Sequence, residues 1–509
     1  MPAPARRHDS AFCGARRLWL LSVALLAGCG GDGADADDYV SVNVAHDDVV
    51  QLSVFAGCEN EFHGTCDVLD SECQDRVFAT ARCLRRQPDA VLPVVRVISK
   101  EELIAEVMSE TSEVTETSDE AATAAADEAA DAALTGALEL LGLAEPEELS
   151  EESYAQVFVD TVPAYYSNVE DVVTLVDGAS GSAPTKTLTL LHEFVHALQD
   201  QGLSLAALQT DEAMSFDRYL AALSIVEGEA EMLESFVAAA TWGLSEDPNF
   251  RKSYTSWVPS AEESFAGQSP LLVAPRYFPY SYGARFVFDV FASEGSAGVR
   301  ALFEAPPTSV LPMLLNTVGP VAVQAESLSA LPEPQAPIGF AQRGAEALGP
   351  WVFGKFVERA VPGVLDSSPA SHWRGDRLST WSGDAEGVAA VWTVRLDTLA
   401  AATELFESVR VLTVVGLPSP NAFCLQSGSD VMIGVTGSAS ARDQWAASVA
   451  DAASGASAAS APTPGEIGSA APSTPSAEAT RLVPPTPGRL RPGPTSWRGK
   501  LTRFARRMR

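Results

Sequence analysis

Residues 187 to 203, TLTLLHEFVHALQDQGL, carry two of the chain's six histidines four positions apart, with a glutamate directly after the first. Leu188, Leu191, Val195 and Leu198 recur at helical spacing, which predicts a helix buried on a face that adjoins His192 and His196. Positions i and i+4 project from one side of a helix, so both imidazoles point toward one place. A buried polar group without a partner costs about 1–3 kcal/mol. The chain must therefore fold so that something polar meets this helix, either hydrogen-bonding core groups or a cation with a further ligand.

The pattern H-E-x-x-H favours the cation. His192 and His196 can offer nitrogens to one metal ion, while Glu193, beside that face, can take a proton from water without joining the coordination sphere. A second helix supplies the third ligand. In DEAMSFDRYLAALSIVEGEAEMLESFVAAA, the residues Phe216, Leu220, Leu223, Glu227, Ala230 and Glu234 step along one side. A carboxylate in line with an apolar stripe is costly unless a cation meets it. Two histidines and Glu227 around zinc leave one position for water, the arrangement of a hydrolytic site. Glu231, one turn on, is the candidate partner for the free ring nitrogen of a ligating histidine, with a solvated surface acid as the other reading. Tyr280, in YFPYSYG and with Tyr282 behind it, is the candidate donor to a developing oxyanion; two core aromatics beside a tight turn are the alternative.

A net charge of -33 over 509 residues excludes nucleic acid as a partner, because a polyanion is repelled. The N-terminus reads as an address. Arg16 and Arg17 precede LWLLSVALLAG, a run of signal-peptide length, and LAGC, Leu26 to Cys29, looks like the lipobox of bacterial lipoproteins. That likeness implies cleavage before Cys29, lipidation of its sulfur and a membrane anchor. Gly30 after the cysteine leans toward an outer membrane. In an exported chain Cys58, Cys66, Cys73 and Cys83 predict two disulfides, with three connectivities open; a zinc knuckle is the rival, weakened by the lack of a CxxC pair. Cys424 is left over as a small core residue.

The expected class is α+β: a mainly helical zincin-like domain with a small C-terminal α+β domain. The segments are a signal peptide over 1–28, a tether over 29–38, a Cys-rich module over 39–98 and an acidic helical or disordered stretch over 99–137. The metallopeptidase-like domain follows over 138–320, then the α+β region over 321–451, and an Ala/Ser/Pro tail with a basic end over 452–509. CQDRVFATARCLRR predicts a short helix and DVVTLVDG a strand, while residues from about 367 predict the order β-β-α-β-β-α.

Several blocks in order resemble a family of exported bacterial metallopeptidases of the gluzincin class, many of them lipoproteins. They are AYYSNVEDVVTLV, LHEFVHALQDQ, IVEGEAEML, FPYSYGARFVFDVF, APPTS and WRGDRLSTW…VWTVRLDTLAAATELF, spanning roughly residues 138 to 450. The resemblance implies His192, His196 and Glu227 as zinc ligands and Glu193 as general base, acting on a peptide or protein substrate. Ala164 stands where the family usually has Gly, and PPTSVLPML lacks the polar residues that normally follow PPTST, changes that bear on the substrate groove. The alternative from another class is a lipid-anchored binding or scaffold protein whose zinc is structural or inactive.

Overall fold

The computed structural model describes Cys58 and most of residues 64–446, leaving out 110–117, 149–161, 178–181, 209–213, 242–268, 318–324, 361–368 and a few shorter stretches. The lipobox cysteine Cys29 and the strands expected near residue 50 lie outside the described residues. The class is α+β. Among the described residues no helix is long and apolar enough to cross a membrane.

The cysteine module is built on helix α1 (Ser71–Arg85), whose start is capped by Asp70 accepting from the Glu72 N–H and whose end turns at Arg86 in the left-handed region. Two disulfides tie it, Cys58–Cys83 and Cys66–Cys73, which selects one of the three possible connectivities and excludes the zinc knuckle. Strand β1 (Val94–Ile98), helix α2 (Lys100–Ser109) and helix α3 (Ser118–Leu140) follow. The apolar end of α3 is buried through Leu134, Ala137 and Leu138. Strands β2 (Ala164–Ser167) and β3 (Val172–Val176) complete a three-stranded sheet in the order β1-β3-β2, with β1 parallel and β2 antiparallel to β3.

Helix α4 (Ala183–Leu203) carries the two histidines. It opens with a proline in its first turn and closes at Ser204 in the left-handed region. Every residue from Thr187 to Gln199 on it is buried, so it is covered on all sides rather than on one stripe. Helix α5 (Phe216–Thr241) crosses it and is likewise buried over most of its length. Helix α6 (Pro270–Phe278) runs through a single π turn (Pro279–Gly283) into α7 (Ala284–Glu304), which packs on α5 through Phe236 and Phe288.

After the short α8 (Leu311–Leu314) come β4 (Ala341–Glu346), α9 (Gly349–Ala360), α10 (Pro369–His372), β5 (Trp373–Gly383), β6 (Gly387–Leu396), α11 (Leu399–Val415), β7 (Ala422–Ser427) and β8 (Asp430–Thr436). The strands form an antiparallel sheet in the order β4-β5-β6-β8-β7. The first five elements of the expected β-β-α-β-β-α order are therefore present, with β4 as an added edge strand, while most of the last expected helix lies outside the described residues. One continuous apolar core runs from Phe78 on α1 through Phe194 and Phe236 to Trp392 and Ile433 in this sheet.

Candidate metal centre

Helices α4 and α5 bring His192, His196 and Glu227 together. His192 Nε2 and His196 Nε2 each lie 3.2 Å from the same oxygen, Glu227 Oε2. The two rings stand nearly perpendicular, with centroids 4.8 Å apart. The three candidate donor atoms lie within 4.8 Å of one another, and all three residues are buried. This group can hold a metal ion.

The far side of each ring fixes its proton. His192 Nδ1 is 3.0 Å from Glu234 Oε2, a carboxylate that can only accept. His196 Nδ1 is 2.9 Å from Gln199 Oε1, and the Gln199 amide donates from Nε2 to Val226 O at 2.9 Å and to Glu229 Oε2 at 3.0 Å. Both histidines thus carry hydrogen on Nδ1 and, in the neutral form, aim an Nε2 lone pair at the Glu227 carboxylate. Three electron-pair donors converging in a dry place repel one another unless positive charge joins them. A metal ion or a proton on Nε2 would each supply that charge: burial opposes the charged His192, but hydrogen bonds to Glu227 and Glu234 outweigh it and raise its pKa well above the ordinary imidazole value. Burial likewise opposes the charged Glu227, and the two histidines outweigh it and hold its carboxyl below the usual range. His196 Nε2 is completely buried and, apart from Glu227 Oε2 at 3.2 Å, has no hydrogen-bond partner, which suits an atom shaped for a metal.

Glu193 lies next to this cluster. Its carboxylate accepts from the backbone N–H of Tyr166 in β2, and its Oε2 is buried without a partner. Burial pushes its pKa up against the pull of His196 and His192. Tyr280, in the π turn, stacks on His192 at 6.0 Å between ring centroids. Burial, with the charge of Glu227 and a hydrogen bond to it, holds the Tyr280 hydroxyl well above the ordinary phenol value. Tyr282 points elsewhere: it stacks on Phe278 at 4.8 Å under Arg285, as a core aromatic.

The histidine partner on α5 is Glu234 rather than the expected Glu231. Glu231 accepts from Ser235 Oγ at 3.5 Å, and burial with the neighbouring Glu234 charge raises its pKa. Glu231 and Glu234 do form a second potential metal group with His192, which shares that residue with the first. Gln199 and Glu229 had no place in the sequence reading; the signal available for Gln199 was its position three residues after His196 on a wholly buried helix. Away from the centre, His372 pairs with Asp397 at 3.0 Å, and Cys424 is a half-buried free thiol whose pKa burial pushes up to about 12. No protein-family profile, curated protein or solved structure matches the chain.

Proposed function

We propose that the chain is a zinc-dependent metallopeptidase of gluzincin type, acting outside the cytoplasm from an N-terminal lipid anchor on Cys29. The observation that carries the reading is the convergence of His192 Nε2, His196 Nε2 and Glu227 Oε2 beside a buried carboxylate oxygen of Glu193 that has no partner. Among the described residues this group has three members, which leaves room for water or substrate where a structural zinc site would close with a fourth protein ligand. The two disulfides fit an oxidising compartment.

A zinc ion held by these residues supplies Lewis acidity that polarises a carbonyl and makes water nucleophilic near neutral pH. The chain's own groups do the rest. Glu193 receives the proton of the attacking water at its unpartnered oxygen and returns it to the leaving amine nitrogen. Its raised pKa suits a group that must both take and give a proton. Tyr280, whose ring lies over His192, is placed to donate its hydroxyl proton to the developing oxyanion.

The test pairs metal content with cleavage of a peptide library. Purified protein is expected to hold one equivalent of zinc and to lose cleavage reversibly with a chelator. Glu193→Gln is expected to keep the zinc and lose the cleavage. Cleavage undiminished in that variant removes Glu193 as base, and one equivalent of zinc with no cleavage in the native chain favours the scaffold alternative.

A further inference from the structure

His196 is oriented by a chain of polar contacts that ends in the disulfide module. The Gln199 amide cannot turn over, because its nitrogen end faces two acceptors, Val226 O and Glu229 Oε2. Its oxygen end must therefore face His196 Nδ1. Glu229 is held in turn by Arg85, through Nε to Oε1 at 3.1 Å and Nη2 to Oε2 at 3.1 Å. This two-pronged pair is almost buried, with side-chain exposures of 7% and 10%.

Arg85 is the last residue of α1, two positions after Cys83, which is bonded to Cys58. The disulfide module is fixed along α4 by contacts independent of Arg85. Phe78 meets Phe194 edge-on at 5.3 Å, Cys66 N–H donates to Thr187 Oγ1 at 3.2 Å, and Gln201 exchanges hydrogen bonds with the Val91 backbone.

We infer that Arg85, Glu229 and Gln199 are positioning residues that hold His196 in its Nδ1–H form and so present Nε2 to the metal, making the disulfide module part of the metal centre. The inference rests on the metal-binding reading above, and adds that this centre is assembled from three parts of the chain rather than from α4 and α5 alone. None of the three residues is expected to touch substrate.

Glu229→Gln is the sharpest variant because it keeps volume. Arg85 contacts both carboxylate oxygens and Gln199 contacts one of them, so either setting of the new amide puts an NH2 group against a donor. Zinc affinity by chelator competition is expected to fall about 10- to 100-fold in Glu229→Gln and in Gln199→Leu. Arg85→Ala should fall similarly, with partial recovery in Arg85→Lys, and Arg85→Ala added to Glu229→Gln should cost little more than either alone. Long-range 1H–15N spectra of the histidines in metal-free protein at pH 8 give a second readout: His196 is expected as Nδ1–H in the native chain and as a mixture in the variants. Should Arg85→Ala fail to fold, Glu229→Gln and Gln199→Leu carry the comparison. Native affinity and an unchanged His196 tautomer in Glu229→Gln overturn the relay. A native protein that binds no zinc overturns the metal reading instead, while the tautomer still decides whether the relay exists.

Discussion

His192 and His196 are chemically identical in the sequence and are held by different groups. An anionic carboxylate, Glu234, backs His192, and a neutral amide, Gln199, backs His196. A carboxylate behind an imidazole makes it a stronger donor, so Glu234→Ala is expected to weaken zinc binding about 10- to 100-fold, measured by chelator competition. Glu231→Ala should leave affinity near the native value, since Glu231 reaches Ser235 and its buried carboxyl favours the protonated form. Equal losses in the two variants would return Glu231 to the role the sequence suggested for it. The candidate ligands themselves were legible because spacing of four on one helix and a carboxylate on an apolar stripe are local patterns. Which acid serves His192 was not: Glu231 and Glu234 are one and two turns beyond Glu227, and the choice depends on how α5 crosses α4. Glu234 did lie on the same stripe as Glu227, a sign that favours it once both helices are known to be buried.

The element that sets Tyr280 against His192 is the π turn, and a pair of glycines lets it approach. A Cβ on Gly228, next to Glu227, would lie 2.8 Å from the backbone carbonyl of Gly283, and a Cβ on Gly283 would lie 2.6 Å from Ser224 O. Backbone on both sides leaves nothing flexible to yield. Gly228→Ala is therefore expected to destabilise by roughly 1–3 kcal/mol, as overpacking does. Peptide hydrolysis should fall with it as Tyr280 moves off His192. Denaturant midpoints and cleavage rates measure the two, and an alanine variant with both unchanged would mean that the turn shifts freely. Helices such as α4 and α5 could be read from the sequence because apolar residues persist at helical spacing over several turns. Strand β4 could not: AQRGAE has neither alternation nor β-branched residues, and it is a strand because β5 pairs with it across a bulge. Strand β1, VVRVI, is apolar enough, but its parallel pairing with β3 joins residues far apart in the chain.

Across the whole molecule, three acids are buried where the start of α5 meets the C-terminal sheet, and one of them, Glu346, ties the two directly. Glu346, at the end of β4, accepts from Phe216 N–H at 2.7 Å, and Asp217 accepts from Val310 N–H at 3.0 Å. Asp376 on β5 accepts from the backbone of Leu348 and Gly349 and from Trp392 Nε1 at 2.7 Å. Burial first, then the mutual repulsion of the acids, raises Asp217 to about 7 and Asp376 to about 6. An unfolded aspartate titrates near about 4, so the folded state holds these protons more tightly. The stability they contribute is fully present below about pH 4 and is lost as pH rises to about 6 for Asp376 and about 7 for Asp217. The loss amounts to a few kcal/mol at most and loosens the seam beside α5. Asp217→Asn keeps an acceptor for Val310 and adds donors that do not ionise. Thermal midpoints of the metal-free protein should differ little between native and variant near pH 4, and the variant should gain steadily up to pH 8. A variant less stable by the same amount at every pH would show that Asp217 titrates in the folded chain as it does in the unfolded one, so that it joins the two parts without responding to pH.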